Sequence, residues 1–168
     1  MSPRNTKSTS AKTAPKAKPA FSPNQSVGYL INATARLFSR ALNERLLEHG
    51  VSIGQWPVLM FLWEEEGLNQ QEVSRRSGVE ESTLARTIER MERDGLIKRQ
   101  RSTKDRRHVE LTLTPRAREL RRPLLKCAAS VNEKALAGLS TEDVERMMQC
   151  LAEMKTRLES DQGALDET

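Results

Sequence analysis

Residues 68–113 read LNQQEVSRRSGVEESTLARTIERMERDGLIKRQRSTKDRRHVELTL, and two glycines divide this stretch into three parts. In the first part Asn69 is followed three residues later by Glu72, the spacing of a capping box. This spacing predicts a short helix that begins after Asn69. Gly78 follows the helix and ends it, because glycine adopts the left-handed conformation that commonly terminates helices.

The second and third parts predict a longer helix and a hairpin. Residues 81–94 have an acidic start and apolar residues at helical spacing, and Gly95 follows them. Residues 108–113 alternate polar and apolar side chains, which indicates a strand. A charged loop at 101–107 joins this strand to residues 96–99. Two short helices around a glycine turn, followed by a hairpin, predict a winged helix-turn-helix.

Long amphipathic helices are predicted on both sides of this unit. Apolar residues at three- and four-residue steps predict helices over 24–48 and 54–65 before it. After it, Thr114 followed by Pro115 opens a long helix to about residue 137, since proline suits the first helical position. Ser140 with Asp143 caps a last helix. The predicted fold class is therefore mainly α with a small β-hairpin wing.

The predicted division of the chain follows from these elements and from composition. Residues 1–22 contain five basic and no acidic residues, with little to bury, and are expected to be a disordered basic arm. Two roles for this arm are left open: a solubilising leader, or an arm that contacts DNA phosphates. The divisions are the arm at 1–22, a dimerisation helix at 23–50, the winged helix-turn-helix at 51–114, C-terminal dimerisation helices at 115–160, and an acidic tail at 161–168.

Composition excludes several functional classes. The chain of 168 residues has a net charge of +5, all of it accounted for by the arm, so overall charge alone indicates little. No run of about 20 apolar residues predicts a membrane span, and no signal peptide is recognised, so a cytoplasmic protein without membrane partners is expected. No nucleophile with an adjacent base, carboxylate pair, phosphate loop or His/Cys cluster predicts an enzyme, metal site or cofactor.

The helix predicted at 81–94 has two different faces. Leu84, Ile88 and Met91 lie at core-facing spacing. The other side carries groups suited to base edges and phosphates, although an ordinary solvated face has the same composition. These candidate DNA-binding residues are Ser82, Thr83, Arg86, Thr87 and Arg90.

The hairpin strengthens the nucleic-acid hypothesis. Between Arg86 and Arg107 the sequence holds nine basic and four acidic residues, an excess of five on a short segment. In the loop we select Lys104, Asp105, Arg106 and Arg107. Asp105 could orient Arg107 through a local ion pair, and an arginine at a hairpin tip suits a minor groove. An ordinary charged turn is the alternative.

From residue 54 to residue 120 the sequence resembles the MarR family of transcription regulators. The residues that carry the resemblance are Gly54 to Leu59, Leu68 to Val73, Ser82-Thr83, Arg90 to Ile97, and Asp105-Arg106-Arg107 through Leu113-Thr114. The resemblance implies a homodimer with interlocked terminal helices, the fourth helix of each subunit in a major groove of double-stranded DNA and the wing in the flanking minor groove. Such proteins usually repress a nearby operon and release DNA when a small molecule binds.

The resemblance also places an effector pocket between the first, second and fifth helices. Aromatic residues and methionine there would suit an aromatic ligand, and arginines would suit its carboxylate or a CoA thioester. The candidate pocket residues are Arg36, Phe38, Arg40, Trp56, Met60 and Trp63. Basic residues between Arg116 and Lys126 could hold phosphates of a thioester, although a solvated helix face explains them equally well.

The last helix predicts a homodimer. Its apolar residues recur along most of its length, and one reader domain cannot cover them. They are Val144, Met147, Leu151, Met154 and Leu158. A twofold dimer predicts a pseudo-palindromic operator, and the resemblance implies that the protein is a ligand-responsive repressor. The alternatives are a transcription activator and a winged-helix module that binds protein.

Overall fold

The computed structural model describes residues 25–101 and 109–166, with side-chain surroundings up to residue 160. The elements are α1 Val27–Leu47, α2 Trp56–Glu64, α3 Gln70–Ser77, α4 Glu81–Arg93, β1 Ile97–Arg101, β2 Val109–Leu113, α5 Pro115–Glu119, α6 Arg121–Leu136 and α7 Thr141–Asp166. The described chain divides into two compact units between Arg36 and Leu37. This order confirms the predicted fold class.

The helix-turn-helix is built by the local signals that the sequence displays. The Oδ1 atom of Asn69 accepts the Glu72 backbone N–H at 2.9 Å, and the Glu72 carboxylate accepts the Asn69 N–H at 2.7 Å. The predicted capping box is therefore present. Gly78 ends α3 with a φ of +66°, a conformation that residues with a Cβ rarely adopt. The chain can then reverse direction into α4.

The wing is an antiparallel pair of strands fixed to the start of α3. Ile97 lies opposite Leu113 at the base of the hairpin, and Arg101 lies opposite Val109 toward its tip. A third segment joins the edge of β2, since Leu111 donates its N–H to the Leu68 carbonyl at 2.9 Å. Because Leu68 immediately precedes the α3 cap, the hairpin and the helix-turn-helix form one unit.

One hydrophobic core joins these elements. Each of α2, α3, α4, β1, β2 and α6 contributes buried side chains, and the C-terminal end of α1 contributes Leu46. The largest are Leu46, Leu59, Leu62, Leu84, Ile88, Met91, Leu96, Ile97, Leu111 and Leu124, each at most 2% exposed. The core therefore lies directly behind α4 and the wing base and holds both in place.

The predicted helix from residue 115 to residue 137 is two helices. The predicted cap is present, since the Thr114 hydroxyl accepts the Ala117 N–H at 3.2 Å, but α5 ends at Glu119. Pro123 explains the division because it has no N–H to offer the carbonyl of Glu119 four residues earlier. Regular bonding resumes when Leu124 donates to the Leu120 carbonyl at 3.1 Å.

None of the helices that the structure describes combines the length and the apolar character needed to cross a membrane.

Candidate DNA interface and ligand cavity

The helix α4 buries one side and exposes the other. Leu84, Ile88 and Met91 are at most 2% exposed, as the spacing predicts. On the opposite side the exposed residues include Ser82, Thr83, Arg86 and Arg90. A core-anchored helix therefore presents hydroxyls in its first turn and guanidinium groups farther along.

Thr87 does not belong to this exposed face. It was predicted beside the arginines, but its side chain is only 4% exposed. Its hydroxyl donates to the Thr83 carbonyl at 3.1 Å and accepts a bond from Nη2 of Arg90 at 3.4 Å. Thr87 lies at the edge of the apolar face and is small enough to be covered there, so it supports Arg90 rather than facing outward.

Local contacts hold the first turn of α4. The Ser82 hydroxyl donates to the Glu80 carboxylate at 2.8 Å. The Gln70 side chain of α3 donates to the Glu81 carbonyl at 3.4 Å, a long bond between the two helices of the motif. These contacts fix the position of the α4 start relative to α3.

The described part of the wing is basic and exposed. Lys98, Arg99 and Arg101 on β1 are exposed beside α4. Nε of Arg99 lies 3.3 Å from the Glu92 carboxylate, an ion pair between wing and α4. The predicted tip residues Lys104, Asp105, Arg106 and Arg107 lie outside the described residues, so their role stays a prediction.

A polar network that the sequence did not reveal holds the C-terminal end of α4. Gln55 is 5% exposed, although it is a polar residue in front of an apolar helix. Its Oε1 accepts the Ser52 N–H at 2.9 Å and its Nε2 donates to the Asp94 carboxylate at 2.8 Å. Arg116 donates to the Asp94 carbonyl at 2.7 Å. Asp94 is the C-cap of α4, so the network joins that helix end to the α1–α2 loop and to α5.

A cavity of about 420 Å³ lies between α1, α2 and α6. Three of the predicted pocket residues, Phe38, Trp56 and Met60, line it. Its remaining walls are mainly aliphatic, and Ser39 and Asn132 are the polar residues of the lining. The site therefore suits a ligand whose buried part is apolar and aromatic.

Two of the predicted pocket residues do not line this cavity, and a third is in the other unit. The indole of Trp63 packs edge-on against Trp56, with ring centroids 5.9 Å apart, and donates to the Ala117 carbonyl at 3.0 Å. Arg40 is exposed and absent from the lining. Arg36 is the last residue of the other compact unit. Among the described lining residues there is no basic side chain to pair with a carboxylate.

Two arginines of α5 are engaged within the protein. Arg116 bonds the Asp94 carbonyl as above, and Arg118 makes a two-pronged contact with Glu66 at 2.9 and 2.8 Å. The hydrogen bonds from Arg118 hold the pKa of the Glu66 carboxyl below its ordinary value of 4.5. These arginines are thus used to attach α5 to its neighbours, which weakens the idea that they hold ligand phosphates.

The described residues contain no His, Cys, Asp and Glu group that could hold a metal ion, and Cys127 and Cys150 are free.

Comparison with known proteins supports the winged-helix geometry. The MarR family profile matches residues 51–109. The HTH-type transcriptional regulator YwoH of Bacillus subtilis (strain 168), itself uncharacterised, is 32% identical over 122 residues, covering 73% of this chain and 88% of YwoH. This match is longer than the predicted reader unit at 51–114.

Two solved structures share the fold at lower identity. A MarR family regulator from Listeria monocytogenes, complexed with 26mer DNA, has a TM-score of 0.76 at 20% identity, covering 82% of this chain and 91% of that one. The regulator CouR from Rhodococcus jostii RHA1, bound to p-coumaroyl-CoA, has a TM-score of 0.72 at 23% identity, covering 79% and 94%. The family match, the relative and the exposed basic surface lead to one conclusion: the chain belongs to the MarR family of DNA-binding winged-helix transcription regulators and is not an enzyme.

Proposed function

We propose that the protein represses transcription as a homodimer that binds a pseudo-palindromic operator and leaves it when a small molecule binds. The observation that carries this proposal is the outer face of α4, where Ser82, Thr83, Arg86 and Arg90 are exposed on a helix anchored by the core. Hydroxyls and arginines are the groups that contact base edges and phosphates in a major groove. The basic wing continues this surface toward the neighbouring minor groove.

The homodimer is supported by apolar surface on the C-terminal helices. In α7, no side chain of residues 141–160 is buried, and this includes apolar ones: Met148 is 62% and Leu158 is 65% exposed. On and after α6, Leu125 and Leu139 are also exposed. A helix with this much exposed apolar surface is stable only when a partner covers it. A second copy of the chain is the proposed partner, so residues 115–160 would form the dimerisation region.

The effector is proposed to place an aromatic group in the cavity beside Phe38, Trp56 and Met60. A volume of about 420 Å³ accommodates a small aromatic molecule or the acyl part of a thioester, not a whole CoA. The p-coumaroyl-CoA bound by CouR has such an aromatic acyl part. Because the described lining holds no basic residue, a carboxylate or phosphate on the effector would lie at the cavity mouth. Arg121, Arg122 and Lys126 remain exposed on α6 for such a contact.

The effector would relieve repression if the dimer occupies the operator only while the cavity is empty. A ligand shifts this equilibrium only if it binds the DNA-free conformation more tightly. The cavity is formed by α1, α2 and α6, and α2 packs directly on the core behind α4. A ligand that separates these helices would therefore disturb the support of the reading helix.

The test is selection of duplexes from a random DNA library by the full chain, followed by titration at several salt concentrations. The proposal predicts a consensus with two inverted half-sites and affinity that falls steeply as salt rises, since phosphate contacts release counterions. The control is the variant Arg86→Ala/Arg90→Ala, which should select no consensus. Recovery of random sequence by the parent protein would contradict the proposal.

A further inference from the structure

The buried Gln55 has no assigned role, yet it connects the two functional parts of the protein. Its sequence neighbours Ile53, Trp56 and Pro57 line the cavity. Its own side chain points away from the cavity and bonds Asp94, at the C-terminal end of α4. One residue thus joins the cavity wall to the helix that presents the exposed arginines.

The contacts on both sides of Gln55 are well defined. Oε1 accepts the Ser52 N–H at 2.9 Å, and the neighbouring Ile53 N–H donates to the Asn43 side chain of α1 at 2.9 Å. The α1–α2 loop is therefore fastened both to α1 and to Gln55. On the far side, Nε2 of Gln55 donates to Asp94 at 2.8 Å. A buried amide with both ends satisfied is held in one orientation, because losing either bond would leave a polar group unpaired.

Asp94, at the other end of the network, is exposed, and two backbone bonds hold it. The Asp94 N–H donates to the Arg90 carbonyl at 2.8 Å, and its carbonyl accepts Arg116 at 2.7 Å. The backbone of Asp94 is therefore bonded to the last turn of α4, and its carboxylate is bonded to Gln55. A displacement of residues 51–57, which end the α1–α2 loop and begin α2, would reach α4 through this carboxylate, one turn after Arg90.

We propose that Gln55 is a positioning residue that fastens the C-terminal end of α4 to the cavity wall through Asp94, so that operator binding and the conformation of residues 51–57 depend on each other. The inference rests on the proposed role of α4 as the DNA-reading helix. The role proposed for Gln55 is distinct from DNA reading, because Gln55 is buried and acts only through Asp94. Coupling of this kind is reciprocal, so DNA binding must alter the loop as much as the loop alters DNA binding.

The test exchanges the amide and the carboxylate between positions 55 and 94. Gln55→Glu places a carboxylate against Asp94, which breaks the bond by like-charge repulsion. Gln55→Glu/Asp94→Asn restores a donor and an acceptor across the contact and has the parent's net charge. Gln55→Met removes the bond without adding charge, so it also controls for the charge that Gln55→Glu adds.

Two measurements are made on all four proteins with a duplex selected by the parent: operator affinity, and amide hydrogen exchange of peptides covering residues 51–57. We expect Gln55→Glu and Gln55→Met to bind the operator roughly tenfold more weakly, with the double variant within about threefold of the parent. In the parent, operator should slow exchange in the loop. That effect should vanish in both single Gln55 variants and return in the double variant.

The outcomes separate the possible roles. A purely structural Gln55 would lower the melting temperature of its variants while the folded protein kept its operator affinity and its DNA-induced loop protection, which would overturn the inference. Absence of any operator effect on loop exchange in the parent, or absence of rescue in the double variant, would overturn it too. Failure of the parent to select an operator would instead count against the proposed function.

Discussion

Within α4, single residues divide between contact and support. Arg86 and Arg90 are both exposed, but Arg90 is also held by the buried hydroxyl of Thr87. A helical wheel placed Thr87 beside the arginines because the residue lies at the edge between the faces. Hydropathy cannot assign such an edge position, since a threonine can bond the carbonyl four residues back and then be buried without loss. The two faces of α4 were predictable because Leu84, Ile88 and Met91 are strongly apolar and recur at helical spacing.

We predict that Arg86 reads bases and that Arg90 contacts phosphate. Arg86→Ala should reduce the preference for operator over random duplex by about 1–3 kcal/mol, the cost of one lost base contact. Arg90→Ala should weaken binding to both duplexes equally and lower the salt dependence. Competition titrations of both variants with operator and random DNA would measure this. If Arg86→Ala kept the parent's discrimination, Arg86 would not be a base reader.

At the scale of elements, the sequence predicted the helices and strands that have strong local signals. Caps and glycines located α3, α4 and the hairpin because these signals act within a few residues. The break between α5 and α6 was missed although Pro123 was visible, since a strongly periodic pattern continued on both sides. Only three of the six predicted pocket residues line the cavity, and Trp63 does not, because its bond to Ala117 depends on tertiary packing. The Gln55 network joins residues 39 positions apart and has no local signal.

The attachment of α5 should depend on pH through Glu66. Arg118 lowers the pKa of the Glu66 carboxyl, so this contact stabilises the folded protein above the ordinary pKa of 4.5 and is lost as pH falls through the lower folded value. We expect Glu66→Gln to lower the melting temperature slightly at pH 7, because both groups are partly exposed, and to have a smaller effect at pH 3. Thermal unfolding across this range measures the difference. Glu64→Gln, at an exposed position on α2, is the control, and an equal effect of Glu66→Gln at both pH values would contradict the assignment.

The wing tip can be tested independently of α4. The strand β1 that precedes the tip carries exposed basic residues at Lys98, Arg99 and Arg101. We predict that Arg107→Ala weakens operator binding about tenfold or more by removing groove and phosphate contacts, while the melting temperature stays unchanged. Unchanged affinity of Arg107→Ala at moderate salt would refute the wing assignment.

The whole molecule is expected to be stable only as a dimer. Between residues 141 and 160, its C-terminal helix α7 exposes apolar side chains, including Met148, Leu151 and Leu158. We predict that Leu151→Asp yields a monomer in sedimentation at micromolar concentration and loses specific operator binding, although the substitution is outside the reading surface. Gln149→Asp, on the same helix, should remain dimeric. A parent protein that is monomeric at this concentration and still binds operator tightly would contradict the dimer.

The most direct test of the account is the spacing of the two half-sites in the selected operator. A twofold protein presents its two α4 helices about 34–36 Å apart, one DNA turn, so both can enter major grooves on the same side of the duplex. Inserting about 5 base pairs between the half-sites turns one of them to the opposite side of the DNA. The account predicts that affinity for this duplex falls to that of a duplex with a single half-site. Equal affinity for the parent operator and the duplex with the insertion would contradict the claim that a dimer reads both half-sites through α4.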